Sequence, residues 1–480
     1  MTGVSGPIDR LSSFDLTNLA VEAPDTPMHV GLIAVLDGQT LLDADGGVRL
    51  AEIRARVADG LRAVPRLRKV VHRPGPLAGR PLWVDDPSFR IERHVSHVAL
   101  GPSGDFGPSG DFGPSGGLGS SGGLGSSGGD DRLLRLAERL MEPLLERSRP
   151  LWRLWVVTGL PEGRLAVVVK LHHAVGDGIA ATRLIGALLD PPPAPAGAPP
   201  WIPAPPPSWR DAVAERFRRG RRGGRRRGQG ARGVWRSLRE ITVAPRTSLN
   251  APIGAGRRLG VFRLDLAEAK AVAHAAGGKV NDVLLAVIAG GLRDVLRARG
   301  EPVERLEPRV AVAVSLRGPG EQAADGNYNG SVVVRLPLGG ADPAARLRAV
   351  TAATGRAKRQ QTAVAQQHFM TLAARTGLAR PLSRGQRMIN LVESNVPGPP
   401  APVRILGAPA LELVPVGAIA GNMTITFLAL SYAGRLVVTA VADRDRFPDL
   451  PVVLAGMARE WAALRAAGDR PGYVVFRIDD

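Results

Sequence analysis

Apolar positions along the chain repeat with two periods, and the two alternate. Residues 29–36, 165–171, 310–316, 331–336 and 436–441 are short runs rich in Val, Ile and Leu, which predict buried or half-buried strands. Residues 133–145, 179–189, 266–276, 283–299 and 454–467 space apolar side chains three and four apart, which predicts helices packed on a core. Strands interleaved with helices predict an α/β fold of packed sandwiches.

Two breaks interrupt the pattern. Residues 101–130 are five tandem hexapeptides, Gly-Pro-Ser-Gly-Asp-Phe twice and then three Gly/Ser-rich variants. Such a segment buries too little to offset its ordering entropy, so it predicts a flexible surface insertion with no part in catalysis. Its chance matches, Gly-x-Ser-x-Gly at 119–123 and Asp105-Phe106-Gly107, lack the strand–turn–helix setting that their chemistry requires. Residues 191–208 hold ten prolines in eighteen positions and predict a stiff, extended connector. The expected organisation is an N-terminal domain at 1–190, a Pro-rich then Arg-rich linker at 191–250, and a C-terminal domain at 251–480. With 480 residues and 44% hydrophobic composition the chain can bury two cores.

Composition removes some chemistry. The chain has no cysteine, which excludes disulfides, thiol nucleophiles and cysteine-ligated zinc. No basic-then-apolar leader and no run of about 18 apolar residues stands out, so a cytoplasmic chain that does not span a membrane is expected. Charge changes the picture more. Of the net +19, residues 210–258 carry +12, from fifteen arginines against Asp211, Glu215 and Glu240; the other 431 residues share +7. Its centre is Arg218-Arg219-Gly220-Arg221-Arg222-Gly223-Gly224-Arg225-Arg226-Arg227. Each Arg near an anionic leaflet contributes roughly 1 kcal/mol, so residues 210–240 are expected to hold the chain peripherally at a membrane or lipid-droplet surface. The plainer reading is a solvated basic linker. No specific nucleic-acid partner is expected, because no aromatic residue lies between Arg218 and Gly233 to stack on bases.

The chemistry concentrates in His172-His173-Ala174-Val175-Gly176-Asp177-Gly178, between a predicted strand and a predicted helix. Histidine takes and returns a proton near neutral pH, so a turn that presents one to a cleft can seat a general base. Asp177 is placed to fix the turn by accepting hydrogen bonds, and Gly178 to ease its backbone. His72, His94, His97, His274 and His368 show no ligand spacing, His29 stands alone, and no carboxylate cluster suggests a metal. Asn281 suits either of two roles, a non-titrating donor to an oxyanion or the N-cap of the helix that follows.

The pattern His-His-x-x-x-Asp-Gly resembles the signature of the CoA-dependent acyltransferase superfamily. Other blocks are similar to the bacterial wax ester synthase/diacylglycerol acyltransferase family, in family order: Asp15 with Pro27-Met28-His29-Val30, Pro150-Leu151-Trp152, Asn281-Asp282, Asn395-Val396-Pro397-Gly398-Pro399, and Ser431-Tyr432. One departure is Thr426, where that family often has asparagine in the acceptor region. The resemblance implies two chloramphenicol-acetyltransferase-like α/β sandwich domains with an active-site channel between them. It implies catalytic roles for His173, His172, Asp177, Gly178 and Asn281, and substrate binding by Pro150, Leu151, Trp152 and Asp282, although a tryptophan such as Trp152 more often packs a core than lines an acyl pocket, and the 395–399 block reads equally as a turn that fixes a crossover. It further implies an acyl-CoA-dependent O-acyltransferase that esterifies diacylglycerol, long-chain fatty alcohol or both. His173 would be the general base in a direct transfer, with acyl-CoA as co-substrate and no further cofactor. Alternatives are another acyl or condensation transferase of the superfamily, or a catalytically silent basic protein that binds membrane or RNA.

Overall fold

The computed structural model describes residues 8–101, 128–176, 178–190, 201–222, 243–315, 329–360, 373–374 and 376–468. The first half supplies strands β1 (His29–Asp37), β2 (Lys69–His72), β3 (Leu82–Asp85), β4 (Val95–Ala99), β5 (Trp152–Thr158) and β6 (Arg164–His172). Its helices are α1 (Ser13–Val21), α2 (Leu50–Gly60), α3 (Gly128–Met141) and α4 (Gly178–Leu189), followed by α5 (Trp209–Arg222). The second half supplies β7 (Arg257–Asp265), β8 (Arg309–Ser315), β9 (Asn329–Arg335), β10 (Leu391–Pro397), β11 (Arg404–Ile405), β12 (Ala408–Val416), β13 (Ile425–Tyr432) and β14 (Arg435–Asp443). Its helices are α6 (Leu266–Ala275), α7 (Val280–Ala298), α8 (Pro343–Gln360), α9 (Ala379–Arg384) and α10 (Leu450–Gly468).

These strands form two six-stranded sheets, β11-β12-β1-β6-β5-β4 and β7-β14-β13-β10-β8-β9, beside a small β2-β3 ribbon. The central strand β6 is buried at every residue after Arg164, as its unbroken apolar run requires. One apolar core packs α2 and α4 on the first sheet, and another packs α7, α8 and α10 on the second. A third joins the halves: Ile33, Val414 and Val416 of the first sheet meet Leu259, Val437 and Val441 of the second, with Leu136, Ala137 and Leu140 of α3 beside them. The α/β sandwich expectation is met, with one exchange. Strands β11 and β12 lie in the C-terminal stretch of sequence yet belong to the first sheet, β12 pairing antiparallel with β1 from Gly31↔Val416 to Leu36↔Ala410.

The connector is more anchored than its composition suggests. Residues 191–200 and 223–242 lie outside the described residues, but 201–219 dock on the first half. Trp201 lies edge-on to Phe89, with the Arg68 guanidinium 4.4 Å from its ring centroid. The Ala204 N–H donates to Asp85, Ala212 is buried with Ala78 and Leu82, and Arg10 reaches Glu215 at 2.7 Å. Of the hexapeptide array, 102–127 lie outside the described residues; its last three residues, 128–130, are helical and open α3.

Helix α3 also crosses to the second sheet. Glu138 accepts the Leu259 N–H at 2.7 Å, so a carboxylate from one half occupies a donor of the other half's edge strand, β7. Burial pushes the Glu138 carboxyl up to about 7, against the pull of that N–H and of Arg258 and Arg444. The folded state therefore keeps a proton that the unfolded chain gives up near 4.5, and stability falls as pH rises from 4.5 to 7. Glu138→Gln keeps an accepting oxygen but cannot ionise. It should remove a pH-dependent loss on the order of 3 kcal/mol, which urea unfolding at pH 5 and pH 8 reads directly. Identical pH slopes in variant and wild type would show that Glu138 ionises normally.

Candidate active site

Strand β6 ends at His172, and Val175 N–H closes the turn on His172 C=O at 2.9 Å. The two histidines then diverge. The His172 ring is fully buried, and its Nδ1 accepts the Ala174 N–H at 2.9 Å. A nitrogen that accepts from a backbone amide carries no proton, so in the neutral ring the hydrogen sits on Nε2. That Nε2 lies 3.0 Å from Glu22 Oε1, off the line of an ideal hydrogen bond. Glu22 follows α1 and also receives Arg147 at 2.9 Å, with His29 Nε2 3.7 Å away. Burial alone would raise the Glu22 carboxyl; the contact with His172, helped by Arg147 and His29, holds it at about 2.

Behind this cluster stands the C-terminal end of α3. Lys170, two residues before His172, donates to Leu140 C=O at 2.9 Å and to Pro143 C=O, and His29 Nδ1 bonds Met141 C=O at 2.8 Å. Cationic and polar hydrogens suit the exposed carbonyls at a helix C-terminus. Burial pulls the Lys170 ammonium down to about 7, and burial with the nearby Lys170 charge holds His29 well below its ordinary range.

His173 faces the other way. Its N–H donates to Met28 C=O at 2.8 Å, its ring tilts against Phe14 with centroids 5.4 Å apart, and its side chain lines a cavity of about 390 Å³. Both halves build that cavity: Phe14, Asn18, Met28, Val30, Leu32 and Ile185 from the first, and Ala313, Val392, Val396, Val416, Leu428 and Leu430 from the second. Thr426 lines it too, with its hydroxyl donated to Val392 C=O at 2.8 Å. Among the described residues no group of three or more His, Asp or Glu side chains gathers as a metal would require.

The other candidates lie elsewhere. Asp177 lies outside the described residues, and Gly178 opens α4. Trp152 is fully buried in the first core, stacked on His94 with centroids 4.6 Å apart and donating Nε1 to Leu67 C=O at 2.7 Å. Leu151 is buried in the same core, and none of Pro150, Leu151 and Trp152 borders the cavity. Asp282 closes the start of α7, accepting Lys279 N–H at 2.8 Å and the Thr354 hydroxyl at 2.7 Å. The cap of α7 is thus Lys279 with Asp282. Asn281 instead donates to Glu393 at 3.3 Å and accepts from Asn395 at 3.0 Å, and it is not among the residues that line the cavity. Burial lifts the Glu393 carboxyl to about 7.

The catalytic-domain model of the wax ester synthase/diacylglycerol acyltransferases matches residues 11–106 and 123–284, and the family's C-terminal domain model matches 325–465. The chain belongs to this family. It is an acyl-CoA-dependent O-acyltransferase. It is 30% identical to the probable diacylglycerol O-acyltransferase tgs1 of Mycobacterium tuberculosis H37Rv, over 96% of this chain and 97% of that one. The identity to the probable diacylglycerol O-acyltransferase tgs2 of the same strain is also 30%, over 93% and 97%. In fold it resembles the solved wax ester synthase/diacylglycerol acyltransferase of Marinobacter aquaeolei VT8, with a TM-score of 0.64 at 23% identity, covering 96% and 99% of the two chains. The starter condensation domain of rhizomide synthetase, solved with C8-CoA and Leu-SNAC, shares the fold at a TM-score of 0.58 and 14% identity, over 98% of this chain and 97% of that one.

Within this acyltransferase the residue that sequence reasoning overlooked is Glu22. Its one signal is a lone carboxylate in the apolar stretch Leu19-Ala20-Val21-Glu22-Ala23. A carboxylate held near 2 stabilises the fold above its unfolded value of 4.5, and that contribution is lost as pH falls from 4.5 toward 2. Glu22→Gln should cost on the order of 3 kcal/mol at pH 7 and flatten the acid limb of the stability curve. Unfolding midpoints in urea at pH 7 and pH 3 test both effects, and an unchanged midpoint at pH 7 would show the charge to be dispensable.

Proposed function

We propose that the enzyme transfers a fatty acyl group directly from acyl-CoA to the hydroxyl of diacylglycerol, of a long-chain fatty alcohol, or of both, with His173 as general base. The observation that carries this is the split between the two histidines: His172 is locked in one tautomer by Ala174 N–H and Glu22, while His173 alone borders the apolar cavity. His173 removes the hydroxyl proton as the oxygen attacks the thioester carbonyl. The tetrahedral intermediate collapses with cleavage of the C–S bond, and His173 returns the proton to the departing sulfur, giving ester and free CoA. No acyl-enzyme is required. In this arrangement Asn281 braces β10, whose Ser394 and Val396 face the cavity, rather than meeting the oxyanion. The relatives' names as diacylglycerol O-acyltransferases support the acceptor reading.

His173→Ala should remove all but a residue of palmitoyl-CoA turnover, by about 10²–10⁴-fold, while the melting profile stays near wild type. His172→Ala should cost less turnover and more stability, since it strands the buried Glu22 charge. Thiol release assayed beside thermal unfolding separates the two, and full turnover in His173→Ala would refute the mechanism.

We also propose that the enzyme works at an anionic lipid surface through the basic segment. Among the described residues no single helix is long and apolar enough to cross a membrane. Helix α5, which leads into the arginine run, exposes Trp209 and Phe217, and Leu77 on the loop beneath it is 66% exposed. The Trp209 indole and Arg216 fasten the helix to Pro76 C=O and Leu77 C=O, each at 2.7 Å. Apolar side chains beside arginines suit a headgroup boundary. Charge reversal at Arg221, Arg222, Arg225, Arg226 and Arg227 should weaken co-sedimentation with anionic vesicles and flatten its salt dependence. Unchanged co-sedimentation would sink the proposal, and tighter binding to RNA than to vesicles would favour the nucleic-acid alternative.

A further inference from the structure

The cavity wall is mainly apolar, with a few hydroxyls, His173 and one carboxamide set into it. Asn18 of α1 lines the cavity, is 5% exposed, and its Nδ2 has no hydrogen-bond partner. Neighbouring hydroxyls are already committed to the protein: Thr17 donates to Ser13 C=O at 3.0 Å, and Thr426 to Val392 C=O. Asn18 is not so committed. An amide removed from water with an unmet donor costs free energy in the empty enzyme, and a ligand that supplies an acceptor recovers that cost.

The position of Asn18 limits what that acceptor is. Phe14, whose ring abuts His173, lies one helical turn before Asn18 on the same face of α1, so the two side chains are separated by on the order of 5–6 Å. A hydroxyl seated at His173 would therefore put atoms a few bonds further along the acceptor beside the carboxamide. In diacylglycerol those atoms include an ester carbonyl on the neighbouring glycerol carbon. In a simple fatty alcohol they are methylenes, which leave the amide unpaired.

We infer that Asn18 is a specificity residue: its carboxamide donates to an ester carbonyl of the acceptor, favouring an acceptor that already carries an ester over a simple alcohol. The inference rests on the acceptor reading proposed above and narrows it. A site that hydrogen-bonds one group of its substrate rejects analogues lacking that group, because its own polar atom is then left unpaired.

The test compares three acceptors with palmitoyl-CoA as donor: 1,2-dioleoylglycerol, the corresponding dioleyl glycerol diether, which keeps the hydroxyl and both chains but has no carbonyl, and hexadecanol. Wild type should prefer diester to diether by about tenfold in kcat/KM, equivalent to about 1.4 kcal/mol. Asn18→Leu should bring that ratio close to one, with a melting temperature equal to or above wild type because the unmet donor is gone. Asn18→Ala provides the same comparison should leucine disturb the packing of α1. A wild-type ratio of one, or a ratio that survives in both variants, overturns the inference while leaving the acceptor reading intact. An equal loss on diester and diether would likewise overturn it, assigning Asn18 to the cavity's shape. A wild type that releases CoA with none of the three acceptors would remove the acceptor reading itself, and this inference with it.

Discussion

A strand buried in the middle of a sheet must find backbone partners on both of its edges, and β1 finds them in different halves of the chain. On one edge it pairs with β6 from His29↔His172 to Asp37↔Arg164; on the other it pairs with β12, which the second half contributes. The ladders cannot be opened without stranding N–H and C=O groups in the interior. The two halves are thereby held in one register, and the cavity forms where they are stitched together. The stitch leaves the second sheet at Pro397-Gly398-Pro399. Gly398 N–H donates to the Ser431 hydroxyl at 3.2 Å, and a side chain there would drive its Cβ to 2.2 Å from Ser431 C=O, so only glycine fits the crossing.

That crossing shows what the sequence revealed and what it hid. The apolar runs at 29–36, 165–171, 310–316, 331–336 and 436–441 appear as β1, β6, β8, β9 and β14, offset at most by two residues, because each presents apolar side chains to a sheet's core and its composition says so. Strand β12 was illegible. Pro409, Glu412 and Pro415 break its alternation, and proline is poorly suited to a strand with neighbours on both sides. The histidine turn was legible because its residues are adjacent in sequence. Glu22 and Asn18 were not, since their importance depends on which face of α1 meets the end of β6, a relation that no local spacing encodes. The block at 150–152 shows the reverse: the resemblance assigns it to substrate binding, whereas the bulk of its tryptophan favours a core position, and here Trp152 fills the core between His94 and Leu67.

The electrostatics of the turn follow from burial. A neutral imidazole can be held with either nitrogen protonated, and a catalytic turn with two histidines in sequence needs some means of distinguishing them. Here the backbone does so. Ala174 N–H occupies Nδ1 of His172, and the carboxylate of Glu22 faces its Nε2, so that ring has no nitrogen left for a substrate. A buried carboxylate is costly by itself, and Arg147, His172 and His29 together offset its desolvation. Lys170 and His29 in turn need acceptors, which the terminal carbonyls of α3 provide.

Helix α3 thus joins two things that have no direct contact in sequence. At its C-terminal end it receives His29, which lies 3.7 Å from Glu22, and Lys170, whose charge acts on Glu22; one turn earlier it sends Glu138 to the edge strand of the second sheet. Glu142, just past its end, meets Arg444 and the Arg257 N–H from that same half. A shift of the second half against the first therefore cannot leave α3 in place, and a shift of α3 cannot leave the hydrogen bonds of Lys170 and His29 unchanged. Since the cavity wall opposite His173 comes from the second half, the same packing that sets the width of the cavity also fixes the orientation of the turn that serves it. This coupling is sufficient reason for so many buried charges in a region that apolar residues could fill: hydrophobic packing would hold the halves together, but only directional contacts between named donors and acceptors hold them at one angle.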